Sequence, residues 1–96
     1  MGLWDLFRRV DREHWFICYT CLGRTNHDET KAIFYSVEPK VDVVGRLWQR
    51  CPRCTDTNTK SFTELKAEGQ ESALWGLERV VKKHPRNLFE VGKHQE

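Results

Sequence analysis

Cys18-Tyr19-Thr20-Cys21 and Cys51-Pro52-Arg53-Cys54 contain every cysteine of the chain, and residues 22–50 separate them. Two thiolates three residues apart on a tight turn aim both sulfurs at one ion, while backbone N–H groups soften the sulfur charge. Two such turns supply the four soft ligands of a closed tetrahedral site. Cys18, Cys21, Cys51 and Cys54 are therefore the expected ligands of one structural Zn2+, with iron as the alternative ion. In a small domain the free energy of binding such an ion is also folding free energy, on the order of 10 kcal/mol.

Other uses of the thiols fit less well. Nothing in residues 1–14 has the apolar run of a secretory leader, so disulfides are not expected and a cytoplasmic location is. A thioredoxin-like pair needs one Cys-x-x-Cys at the mouth of a βαβ unit, and the second pair would go unexplained. The arrangement over residues 15–58 resembles the zinc ribbon. Its spacing and the Cys51-Pro52-Arg53-Cys54 turn also resemble rubredoxin, which binds iron in the same geometry and would imply electron transfer. Rubredoxins typically place Gly directly after the second Cys and are strongly acidic. Here Leu22 precedes Gly23, Thr55 follows Cys54, and the net charge is +2. His27 lies near the first pair, but four thiols already complete a ligand set; it reads as a loop residue, as His14, His84 and His94 read as ordinary histidines.

Outward from the cysteines the pattern is β. Lys31–Val37 and Val41–Trp48 are rich in β-branched and aromatic residues, and Glu38-Pro39-Lys40 between them reads as a turn. Pairing 37 with 41 places Ile33, Tyr35 and Val37 opposite Val43 and Gly45 on a core face. Phe34, Ser36, Val44, Arg46, Trp48 and Arg50 then share the other face. His14–Ile17 supplies a third strand.

Helices flank this sheet in the reading. Leu3, Leu6, Phe7 and Val10 recur at i, i+3, i+4 and i+7, one face of a short helix within residues 1–12. Ser61-Phe62-Thr63-Glu64 is a capping box and Pro85 a stop, giving one long helix over 61–84 followed by a tail over 85–96. Its apolar seam is Phe62, Leu65, Gly69, Ala73, Gly76, Leu77 and Val80, widened by Leu74 and Val81. A break at Gly69 into two shorter helices is the alternative. Small residues in mid-seam suggest close approach of another backbone, from the sheet or from a second copy. The expected fold is α+β: one domain over 1–96, with a three-stranded antiparallel zinc-ribbon sheet between a short N-terminal and a long C-terminal helix.

With 96 residues, 39% hydrophobic and 11% aromatic, the chain has enough apolar material to exclude wholesale disorder. No apolar run approaches the ~20 residues that cross a bilayer, so no membrane association is expected. Four thiolates leave a metal no open position, and no nucleophile motif or phosphate loop stands out, so neither catalysis nor a small-molecule substrate is expected. Two binding classes remain. Trp75 falls on a charged helix face among Glu68, Glu71, Glu78, Arg79 and Lys82, as a contact to a protein partner or a homodimer would have it. The whole positive surplus lies in residues 15–60, where Arg46, Trp48, Arg50 and Arg53 suit nucleic acid. Protein interaction is the leading expectation.

Overall fold

A computed structural model describes residues 11–83 and 89–91. The expected helix on Leu3, Leu6, Phe7 and Val10 lies outside the described residues. Strand β1 (Trp15–Cys18) runs directly into helix α1 (Tyr19–Arg24), and a 3-10 turn (Glu29–Lys31) leads to β2 (Ile33–Ser36). A small hairpin, β3 (Lys40–Val41) and β4 (Leu47–Trp48), precedes β5 (Thr59–Ser61). Helices α2 (Phe62–Ala67) and α3 (Glu71–Lys83) follow, and then β6 (Phe89–Val91).

The main sheet has the order β5-β1-β2-β6. Its first three strands are antiparallel, with Phe16 opposite both Phe34 and Ser61, whereas β6 runs parallel to β2 with Phe89 opposite Phe34. Side chains alternate across a strand, yet Phe16 and Ile17 are both buried, as are Ile33 and Phe34. The two central strands are thus covered on both faces, which is why Trp15-Phe16-Ile17-Cys18 and Ala32-Ile33-Phe34 read as unbroken apolar runs. The Phe16 and Phe34 rings stack 5.5 Å apart, and Phe62, Leu65, Leu74, Leu77 and Val81 complete the core.

Three expectations are corrected. The 31–37 and 41–48 segments do not pair with each other: β2 pairs with β1 and β6, while 40–48 folds back on itself with Lys40 opposite Trp48. The cause is Asp42. Its carboxylate accepts from the Val44 and Arg46 N–H groups, Gly45 donates to the Asp42 carbonyl, and Gly45 itself takes φ 85°. Asp at the first position and a left-handed Gly at the fourth make a tight three-residue hairpin loop, which closes before residue 41 can reach residue 37. Val43, expected on the core face, is consequently 102% exposed. The third antiparallel strand is β5, at the junction between the expected ribbon and the expected helix.

The long C-terminal helix is two helices. The Ser61 hydroxyl caps α2 by accepting from the Glu64 N–H at 3.0 Å. Eight residues after Ser61, Gly69 adopts φ 77°, its N–H bonds to the Lys66 carbonyl, and the Gln70 N–H bonds to the Leu65 carbonyl. That pair of bonds is the Schellman ending, which a left-handed glycine accepts without a Cβ penalty. The bend resets the helical phase, so Leu74, Leu77 and Val81 face the core and Ala73 is exposed. A Cβ on Gly76 would meet nothing within 4 Å, so among the described residues no backbone approaches closely there.

Finally, Phe89–Val91 belongs to the sheet, not to a tail. The open edge of β2 offers unpaired backbone groups, and Phe-Glu-Val suits a strand.

Candidate metal centre

Each cysteine pair reaches the site by a different local device. Cys18 ends β1 and caps α1: its sulfur accepts from the Cys21 N–H at 3.4 Å, which holds Cys21 one turn along the helix. The first pair therefore sits on a strand-to-helix junction rather than the bare turn expected. Cys51 and Cys54 lie on the irregular segment between β4 and β5. There the Arg53 N–H donates to the Cys51 sulfur at 3.4 Å, and Thr55 donates to the Cys51 carbonyl while holding φ 63°. The N–H···S bonds expected for a thiolate turn are present in both halves.

The four Sγ atoms all lie within 4.8 Å of one another. Cys18 and Cys54 are 3.5 Å apart, Cys21 and Cys51 3.6 Å. An ion held tetrahedrally by sulfurs at about 2.3 Å requires S···S separations of about 3.8 Å. The thiols fit such an ion with only small adjustment. Cys18, Cys21 and Cys51 are at most 6% exposed, and Cys54 is half-buried at the rim.

Burial shapes the electrostatics. Desolvation pushes the Cys18 thiol up to about 11 and the Cys21 thiol higher still, and the neighbouring sulfurs push both the same way. Burial acts on Cys54 too, but the Asp56 backbone N–H and the other three cysteines outweigh it and lower that thiol. Four clustered sulfurs, three of them buried, cannot all carry charge so close together unless a cation joins them. The donor set, its spacing and its burial suit a soft divalent ion, and the four cysteines could coordinate one.

A clasp outside the cysteines joins the two halves. The Thr20 hydroxyl donates to the Asp56 carboxylate at 2.7 Å, and that carboxylate also accepts from the Thr57 and Asn58 N–H groups. These bonds hold the Asp56 carboxyl below its usual range, led by the Thr20 hydroxyl. The Asp56 carbonyl accepts from the Cys51 N–H at 2.9 Å. Sequence reading missed this role, although Asp two residues after Cys54, followed by Thr-Asn, is a recognisable Asx-turn signal.

The other expected site residues are dispersed. Arg46 donates to Glu64 at 3.0 Å and to the Thr59 carbonyl, Arg50 donates to the Thr55 carbonyl at 2.7 Å, and Arg53 is half-buried beside the sulfurs. Trp48 is half-buried with the Lys40 ammonium 5.2 Å from its ring, while neighbouring Leu47 packs on the core. Arg46 and Arg50 remain exposed. Trp75 stands 63% exposed on α3. His14 hydrogen-bonds the Ser36 carbonyl and stacks on Tyr35, and His27 is exposed, so neither joins the cluster.

Among the described residues no helix is long and apolar enough to cross a membrane. Comparison of the chain with protein-family models, with curated proteins and with solved structures gives no match.

Proposed function

We propose that this chain is a non-enzymatic protein-interaction module of zinc-ribbon type, in which one Zn2+ on Cys18, Cys21, Cys51 and Cys54 is a structural staple. Four thiolates saturate a tetrahedral ion, so the metal binds no substrate and acts on the fold alone. The observation that carries the reading is Trp75. The opposite side of α3 is fully committed to the core through Leu74, Leu77 and Val81, yet this large aromatic projects into solvent. A tryptophan on a rigid helix contributes much contact area at little entropic cost, the usual property of an interface anchor.

Nucleic-acid binding through Arg46, Trp48, Arg50 and Arg53 is the weaker reading, since Arg46 and Arg50 already spend donors within the chain. Rubredoxin-like electron transfer would require iron on the same four sulfurs. Three measurements separate these readings. Metal analysis of the purified protein should give one zinc per chain and no colour. Affinity capture should retain a protein that Trp75→Ala loses, or the solution mass should show a dimer that Trp75→Ala splits. Titration with single- and double-stranded DNA and RNA at low salt should show no binding; salt-sensitive binding weakened by Arg50→Ala would favour the second reading instead.

A further inference from the structure

We propose that Cys54 is the point at which peroxide enters the cysteine cluster, and that its oxidation closes a Cys18–Cys54 disulfide which ejects the metal. The inference rests on the metal reading above and adds a redox response to the same four residues.

Access and distance both select Cys54. Three of the sulfurs are sealed at 6% exposure or less, while Cys54 is half-buried at the rim. An oxidant arriving from solvent meets that sulfur first, and susceptibility of thiols to oxidation follows exposure. Geometry then favours a thiol of the other half of the site. The Cys18 sulfur lies 3.5 Å from Cys54, and Cys21 lies 3.6 Å from Cys51. Both of these contacts cross between the two Cys-x-x-Cys pairs.

The chemistry balances with hydrogen peroxide as the oxidant. The Cys54 sulfur attacks one peroxide oxygen; an S–O bond forms, the O–O bond breaks, and hydroxide leaves to take up a proton. The Cys18 sulfur then attacks the Cys54 sulfur; the S–S bond forms, the S–O bond breaks, and the second oxygen leaves as water. Two thiols lose two electrons, and one peroxide becomes two waters. The ion has then lost two of four donors and departs. The new bond joins residues 36 positions apart and ties the 50–56 segment to β1 in the place of the metal. A dithiol reverses it by thiol–disulfide exchange, leaving both cysteines as thiols and itself oxidised to a disulfide.

The full chain, zinc-loaded, is treated with hydrogen peroxide while a chromophoric chelator reports released metal and peptide mapping without reduction identifies the first cross-link. The expected result is Cys18–Cys54 appearing in step with zinc release. Cys54→His keeps four donors but removes the thiol, and release from it should be at least tenfold slower. A first cross-link within a pair, Cys18–Cys21 or Cys51–Cys54, overturns the proposal, as does release from Cys54→His at the wild-type rate. If that variant fails to fold, the wild-type cross-link map decides alone. Protein that binds no metal when purified would refute the metal reading, and the same map on the reduced chain would still test the pairing.

Discussion

The cysteine end of the molecule and its aromatic heart are held together by different physics. At the heart, Phe16, Phe34 and Phe62 are fully buried and lie among Ile33, Leu65, Leu74 and Leu77. Each such side chain contributes roughly 1.5–3 kcal/mol by leaving water. At the cysteine end, Thr55, Asp56, Thr57 and Asn58 are all exposed. Apart from the sulfurs, that segment is tied down by polar bonds: Thr20 to Asp56, Tyr19 to the Asn58 carbonyl, and Thr59 to the Gln49 carbonyl. The exposed Thr20–Asp56 bond exchanges readily with water and adds little net stability. The heart rests on apolar burial, whereas residues 55–58 beyond the sulfurs bury no side chain of their own.

The largest expected effect breaks that contrast open. Chelation of the metal, or Cys51→Ser, should remove a contribution on the order of 10 kcal/mol from the cysteine end. Amide exchange should then accelerate through α1 and residues 49–58, while the Phe16–Phe34 pairing and α3 keep their protection. Uniform loss of protection would show that the heart leans on the metal as well. The pH response should change sign with metal. Ligand thiols must shed protons to bind, so the loaded protein loses its ion on acidification. Without metal, burial raises the Cys18 thiol from its ordinary value near 9 to about 11. That raised value favours the fold below pH 9, where unfolded thiols are still protonated, and the benefit is lost as pH rises from 9 toward 11. Denaturation midpoints across pH 5–11, with and without zinc, measure both limbs.

Next in size is the heart itself. Phe34→Ala should cost about 3–5 kcal/mol, since its ring is fully buried and stacked on Phe16. The loss should appear at both ends of the molecule, because β2 links β1 to β6. Chemical denaturation of the zinc-loaded protein reads it directly. A cost under about 1 kcal/mol would mean that the sheet is less committed to this pair than its burial implies.

The same contrast explains what the sequence made legible. The cysteine cluster was readable because Cys-x-x-Cys spacing is a local property, and β1 was readable because a strand buried on both faces leaves a continuous apolar run. Strand pairing was not readable. Whether Val41–Trp48 met β2 or folded on itself depended on the Asp42 carboxylate capturing two N–H groups, which outweighed the β-propensity of Val43 and Val44. The break at Gly69 was legible only as the alternative to one long helix: the residue reads as a modest propensity cost, whereas its left-handed conformation ends α2. Asp56 was overlooked because its role depends on Thr20, which approaches only once the two halves have met.

A smaller effect tests that ending. Gly69→Ala places a Cβ on a residue at φ 77° with nothing else nearby, so the strain is purely conformational. It should cost about 1 kcal/mol, and the metal content should not change. A neutral or stabilising result would mean that α2 and α3 can run together as one helix, the arrangement the seam first suggested.

The smallest stability effect carries the functional question, and two tryptophans make it sharp. Trp15 meets the Tyr35 ring edge-on at 5.0 Å and stacks on Phe62 at 6.5 Å, so it belongs to the heart. Trp75 projects from α3 at 63% exposure. Trp75→Ser should therefore shift stability by no more than about 0.5 kcal/mol, the range of ordinary surface changes. Trp15→Ser should cost several times as much. If Trp75 is an interface anchor, its replacement should leave the thermal midpoint and zinc content untouched while abolishing retention of the partner. A large loss of stability at Trp75 would mean that the ring packs within the folded chain, and the interaction reading would lose its main support. The two variants thus distinguish an aromatic that builds the fold from one that the fold displays.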